Sequence, residues 1–472
     1  MASQRGQRQI LMSKWVLPMS GPALLDGAVV IEGDTILDVL PQAQLCQRYS
    51  PTTIESAFDY GQAVILPGFI NMHSHLDYSD LHGFDLSSSM FDWIEALVLR
   101  SSKWSRHNWY QSALAGASQC ALSGISCVVD SSFTGFSVTA LALTGLRGFV
   151  GLELFGVKEE ETDAVWQQWL QRYEQLRNNT HPQVAHAFDS QRVKLTVSPH
   201  APYTVCPSLW LRARDWARLN GLPVFAHLAE SLEECAWIKE GSRTVDQYLT
   251  FVRKLKNPQL ATTDDGISTD VKEIKWSKMG LSPVEHLARY DLLDKDLIAA
   301  HCVHLSEEDL CLLAQKKVSV AHCPRSNVRL GNGRAHLESF VRHKIAFALG
   351  TDSLASCDDL DLLNECRFAS HLHKAAGADL ILPAEELLRR LTVESAQMLQ
   401  LSHRIGSLEP GKQADIGVFA IAEEDSHDKP ADKLIFGRRR LVDLFVDGSR
   451  VVANGTLTST AASASIISSI LS

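Results

Sequence analysis

Val64-Ile65-Leu66-Pro67-Gly68-Phe69-Ile70-Asn71-Met72-His73-Ser74-His75 is the stretch on which the reading of the chain turns. The apolar run 64–70 has the length of a strand buried on both faces, as in a parallel sheet covered by helices. It leads into two histidines one residue apart. Along extended backbone such side chains point to the same face. Two neutral imidazoles on one face suit a borderline-soft divalent ion. A bare His-x-His is weak evidence. The chain carries another, His371-Leu372-His373, in a helical stretch where positions i and i+2 diverge, and that copy reads as surface.

Outward from this stretch, short apolar runs recur at 125–130, 149–154, 193–198, 223–226, 297–300, 318–321 and 345–349. Between most of them lie amphipathic segments such as 109–123, 207–219, 306–315 and 360–375. Strands alternating with helices indicate a parallel sheet, and eight such runs predict an α/β fold, a closed (β/α)8 TIM barrel. A doubly wound open sheet is the alternative, but no Gly-rich phosphate turn follows the first strand.

Barrel enzymes place their chemistry at the C-terminal rim of the strands. Here His73, His200, His227, His301 and His322 stand at or just beyond the ends of five runs, and Asp352 follows the eighth. One such histidine reads equally well as a packed core residue; five with a terminal aspartate point to a metal site. The expected ligands are His73, His75, His227 and Asp352. The chemistry needs an activated water, a base and an acid. Asp352 can ligate through one oxygen and take the water proton on the other. His301 can orient the nucleophile. Glu230, three residues after His227, can carry a proton to the substrate; alternatively it favours the dipole of the next helix.

The ends read differently. Residues 8–64 and 405–457 hold short β-type runs (28–32, 35–39, 416–421, 441–446, 451–453) with no good helix, and are expected to pair into one small composite β-sandwich flanking a barrel at 65–404. The polar segment 254–280 reads as a mobile insertion or active-site flap, and the Ser/Ala-rich tail 458–472 as a loosely docked end.

Bulk numbers agree with an enzyme of this kind. The chain has 472 residues, 45% hydrophobic and 21% charged, with a formal net charge of −10 and no basic face for nucleic acid. No run is long enough to span a membrane, and the N-terminus lacks an apolar signal core. Ten scattered cysteines without a C-x-x-C pair read as reduced, mostly buried thiols of a cytoplasmic protein.

The strings LPGFINMHSHLDYSDLHG, VSPHAPYTV, VFAHLAES, LIAAHCVHL, VAHCPRSN, GTDSLAS and GSLEPGKQADIGVF together resemble the amidohydrolase superfamily over about residues 10–455. The resemblance is closer to its deaminase and chlorohydrolase branch. It is narrowest to the aminodeoxyfutalosine and methylthioadenosine/adenosylhomocysteine deaminases. It implies one zinc or iron on His73, His75, His227 and Asp352, with Glu230 as acid/base and His301 orienting water. His200 stands where binuclear relatives carry a carboxylated lysine, which implies a mononuclear site. The implied substrate contacts are His200, Tyr203, Trp93, Ser326 and Asn327. The implied activity is hydrolytic deamination of an aminated purine-type small molecule, often by a homodimer. The alternative is hydrolysis of a cyclic amide, or of a chloro- or alkylamino-heterocycle, at the same metal. Two departures stand out: Asp77 replaces the more usual Glu, and 254–280 has no counterpart.

Overall fold

In the computed structural model, which describes residues 8–83, 89–377, 382–423 and 429–458, the run 64–70 is two strands rather than one. Pro67 has no amide hydrogen to donate, and a Cβ on Gly68 would lie 2.5 Å from the Ser126 side chain. The chain turns there: Ala63–Pro67 joins an outer sheet, and Phe69–Ser74 begins an inner set.

The inner set is two four-stranded parallel sheets. Phe69–Ser74, Ile125–Ser132, Arg147–Leu154 and Val193–Pro199 form the first. Val224–Leu228, Leu297–His301, Ser319–His322 and Phe347–Leu349 form the second. Their residues are almost all buried, which is why they read as continuous apolar runs. The helices between them start where sequence chemistry places them. Ser105 with Asn108 and Ser306 with Asp309 make capping boxes for Arg106–Leu122 and Glu307–Lys316, and Pro207 opens Pro207–Leu219.

At one seam between the two sheets, the hydroxyls of Thr196 and Ser198 donate to the carbonyls of Pro223 and Phe225 at 2.7 and 3.0 Å. At the other, Ser74 bridges Asp352 in parallel, and the Asp352 amide donates to the His73 carbonyl at 3.0 Å. Met72, Val129, Phe149, Phe225 and Ile298 of the two sheets form one buried cluster with Met398, Leu399 and Ile405.

Both chain ends build the outer sheet, nine strands in all. Ile416–Ile421 pairs antiparallel with Ala63–Pro67, joining the C-terminal strands to the N-terminal ones. The strand Ala63–Pro67 thus runs across position 64, where the first segment was expected to stop. The ends are not free of helix: Leu45–Arg48, Pro51–Glu55 and Pro430–Phe436 are helical. Ser50 accepts from the Thr53 amide and Pro51 sits at the first turn, a start signal short enough to be passed over. A buried Arg147 ties the two parts together, bonding Asp415 through Nε at 2.9 Å and Asp447 through a terminal nitrogen at 2.5 Å.

The segment 254–280 is docked. Ile267, Val271, Ile274 and Trp276 are buried. Trp276 meets Trp237 edge-on at 4.9 Å and donates to the Val157 carbonyl at 3.3 Å. Ile267, Val271 and Ile274 follow a helical spacing around the one-turn helix Thr269–Lys272, a pattern too short to stand out in the polar segment. The tail beyond Thr458 lies outside the described residues. None of the ten cysteines is paired, and seven are buried. Among the described residues no helix is long and apolar enough to cross a membrane.

Candidate metal centre

The first inner strand delivers two imidazoles because its end is pinned. Ser74, between them, donates to Asp130 Oδ1 at 2.9 Å, and the Leu76 amide donates to the same oxygen at 2.7 Å. Asn71 clamps the last strand end: its amide group donates to Thr351 Oγ1 at 2.7 Å and its carbonyl accepts from the Thr351 amide at 3.1 Å. Gly350 permits the approach, since a Cβ there would lie 2.7–2.9 Å from His73 Cβ, N and O. Ala229, His301 and Asp352 all hold positive φ (51°, 70° and 59°), the left-handed region that non-glycine residues occupy at a cost of about 1–3 kcal/mol. Strain at three strand ends around one point marks the rim as built for side-chain placement.

Four side chains converge there. His75 Nε2 lies 3.0 Å from His227 Nε2, and Asp352 Oδ1 lies 3.7 Å from Nε2 of both His73 and His75. The outward nitrogens are held: His75 Nδ1 donates to the Ser131 carbonyl and His227 Nδ1 to the His200 carbonyl, each at 2.8 Å. That fixes the tautomer and leaves Nε2 lone pairs inward, the arrangement usual around a ligated metal. His73 Nε2 is buried without a hydrogen-bond partner among the described residues. An orphaned inward nitrogen beside a carboxylate oxygen fits a divalent cation. His73, His75 and Asp352, and likewise His73, His227 and His301, offer ligand atoms all within 4.8 Å of one another.

The electrostatics agree. Burial lowers the pKa of His73, His75 and His227, which favours neutral rings able to ligate. For Asp352, burial pushes upward, but His75, His301, His73 and the Ser326 hydroxyl outweigh it and leave the carboxyl at about 2. Its Oδ2 accepts from Ser326 at 2.5 Å and Ser356 at 3.0 Å, so Oδ1 is the oxygen that faces the imidazoles. Burial raises Glu230 to about 7 against the pull of His301. Glu230 Oε1 accepts from Asn332 at 3.0 Å and sits 3.7 Å from His301 Nε2. The helix-start role falls to Glu234, which accepts from the Ala229 and Glu230 amides at 3.0 Å each.

A cavity of about 600 Å³ opens over this cluster. His75, His227, Glu230, His301 and Asp352 line its floor, and Trp93, His200 and Tyr203 its wall. Ser326 and Asn327, expected against substrate, are fully buried beneath: Ser326 bonds Asp352, and Asn327 Oδ1 accepts from His301 Nδ1 at 2.8 Å. His322 stays out of the cluster, buried with its ring 6.1 Å from that of His373. Only half of the His371–His373 pair is surface, because His373 turns inward to Arg334. Sequence reasoning passed over Glu153, Asn332 and Ser356. Glu153 alone left a signal, a carboxylate inside an apolar strand.

Such a rim, with imidazoles from the first and fifth strands and an aspartate after the last, defines a metal-dependent hydrolase class. The amidohydrolase family model matches residues 64–451, and the chain belongs to that family. It is 31% identical over 440 residues to 5-methylthioadenosine/S-adenosylhomocysteine deaminase of Pyrococcus horikoshii, covering 90% of each chain. Its fold is similar to that of a zinc-bound adenosine deaminase from Xanthomonas campestris (TM-score 0.78, 23% identity, 98% and 96% of the two chains). It is also similar to Helicobacter pylori aminofutalosine deaminase in complex with methylthio-coformycin (TM-score 0.75, 22% identity, 94% and 100%).

Proposed function

We propose that this chain is a metal-dependent aminohydrolase that releases ammonia from an aminated purine-type heterocycle or nucleoside, in the class of aminodeoxyfutalosine, adenosylhomocysteine and methylthioadenosine. The observation that carries it is Glu230: a buried carboxyl held near neutrality, beside the His/Asp cluster, on the cavity floor. Amide hydrolysis has no need of ring protonation, so this placement favours deamination over the cyclic-amide reading.

His73, His75, His227 and Asp352 would hold one divalent ion, zinc in preference to iron. When bound, it supplies the Lewis acidity that makes water nucleophilic near neutral pH. Asp352, which would hold the ion together with the histidines, takes the proton of the attacking water. Glu230 places a proton on the ring nitrogen beside the reacting carbon, which makes that carbon electrophilic. His301, its Nδ1 donating to Asn327, orients the nucleophile through Nε2. His200, Tyr203 and Trp93 position the ring. Ser326 and Asn327 act through Asp352 and His301 rather than on substrate.

In the same reading the two inner sheets form one closed (β/α)8 barrel, supported by the polar contacts at both seams. The outer sheet folds as a composite sandwich from residues 8–64 and 405–457. The family resemblance supports a homodimer, and the unpaired thiols support a reducing, cytoplasmic setting.

The test is ammonia release from 6-amino-6-deoxyfutalosine, adenosylhomocysteine, methylthioadenosine, adenosine, guanine and aminotriazines, with metal analysis. Release abolished by chelation and restored by zinc supports the reading. Metal-loaded protein that releases no ammonia from any of them, or yields a carboxylate instead, overturns it.

A further inference from the structure

Glu153 is a buried carboxylate that the mechanism above leaves without a task. It ends the third inner strand, Arg147–Leu154, where side chains alternate. Phe149 belongs to the interior cluster, whereas Leu152 and Leu154 pack in the outer core. Glu153, in phase with Phe149, therefore faces inward at the rim and lines the cavity at 3% exposure. Its neighbours are ring nitrogens: its oxygen and one nitrogen each of His200 and His227 lie within 4.8 Å of one another. His200 Nδ1 is engaged by Thr204 Oγ1 at 2.8 Å, so its Nε2 is the nitrogen left over.

No donor among the described residues bonds to Glu153. Its nearest ion-pair contact is His75 Nδ1 at 3.9 Å, and that nitrogen already donates to the Ser131 carbonyl. The carboxylates around it are otherwise supplied. Asp352 accepts from two serines, Glu230 from Asn332, Glu234 from two amides, and Asp77 from Ser132 and Thr134. Its carboxyl lines the cavity, and native structures give nearly all such polar groups a partner. The missing donor has room to arrive from the cavity.

We propose that Glu153 accepts a hydrogen bond from an N–H or O–H group that the substrate carries beside its reacting ring, and so selects substrates bearing a donor at that place. The inference rests on the deaminase reading only for where the ring sits. A donor of this kind comes either from the base, as a ring or exocyclic N–H, or from an attached sugar, as a hydroxyl.

The experiment compares wild type, Glu153→Met and Glu153→Gln, each zinc-loaded. The probes are adenosine, 2′,3′-dideoxyadenosine and adenine, with binding read by calorimetry alongside ammonia release. Burial, with Asp77 and Asp130 nearby, holds the Glu153 carboxyl well above the usual carboxylate range, so the bond lost is one to a neutral group, worth roughly a factor of 2 to 10. Glu153→Met is expected to weaken binding and raise KM by about that factor with kcat little changed. Glu153→Gln should recover most of it, because the amide oxygen still accepts. Loss confined to adenosine assigns the donor to the 2′ or 3′ hydroxyl, loss on both nucleosides but not adenine assigns it to the 5′ hydroxyl, and equal loss on all three assigns it to the base. Zinc loss in Glu153→Met, unchanged binding, no rescue by Gln, or no binding of any probe to wild type overturns the proposal. Ammonia release failing in wild type while the calorimetric differences persist would sink the deaminase reading and leave this one standing.

Discussion

At the residue scale, environment separates carboxylates that look alike in sequence. Glu230 and Glu234 are four apart, yet Glu234 spends both oxygens on backbone amides while Glu230 gives Oε1 to Asn332 and lines the cavity. Glu230→Gln keeps the acceptor for Asn332 but cannot deliver a proton. A steady-state assay should show kcat reduced by roughly 10²–10⁴ with zinc content unchanged. Ser326 tests the supporting layer. Ser326→Ala removes the closer of the two donors that hold Asp352 Oδ2. Zinc affinity, measured by competition with a chelator, should fall by about 10- to 100-fold without a change in substrate preference. A change in preference instead would put Ser326 back among the substrate contacts.

Elements matter through where they stop. The last inner strand is only Phe347–Leu349, and Gly350 lets its end lie against His73. Gly350→Ala would press a Cβ into His73 backbone atoms, at a cost on the order of 1–3 kcal/mol. The expected readings are a lower melting temperature and lost zinc, with secondary structure kept by circular dichroism. The docked segment 254–280 makes the opposite case. Trp276→Ala deletes its largest anchor against Trp237, about 3–5 kcal/mol of packing. Limited proteolysis should then cut within 254–280 far faster than in wild type. Equal cutting rates would mean the segment is held elsewhere.

For the whole molecule, the joint between inner strands and outer sheet is apolar with one buried ionic cluster at Arg147. Arg147→Met leaves Asp415 buried without its partner and should destabilise the protein by about 3–5 kcal/mol in denaturant unfolding. Stability should also depend on pH. Burial, with Arg289 nearby, lowers His286 to about 4, and burial lowers His322 to about 3. Both rings stay neutral in the folded chain while the unfolded chain protonates them near 6.5. Their contribution is thus complete above about 6.5 and lost progressively as pH falls toward 4 and below. Unfolding free energy measured from pH 7 to 4.5 should fall, and His286→Phe should flatten the slope.

The sequence by itself determined the strand–helix alternation, the positions of seven of the eight inner strands to within a residue or two, and the ligand candidates. Strands buried on both faces must be apolar throughout, and histidines closing such runs are conspicuous. It could not separate Ala63–Pro67 from Phe69–Ser74, because both halves are buried, each by a different sheet. Nor could it sort Ser326, Asn327 and His322 from the cavity, or find Glu153, Asn332 and Ser356. Which side of a rim a side chain faces depends on how strands far apart in sequence meet. The seams that bring Asp352 to His73, and His200 to His227, exist only in the folded chain.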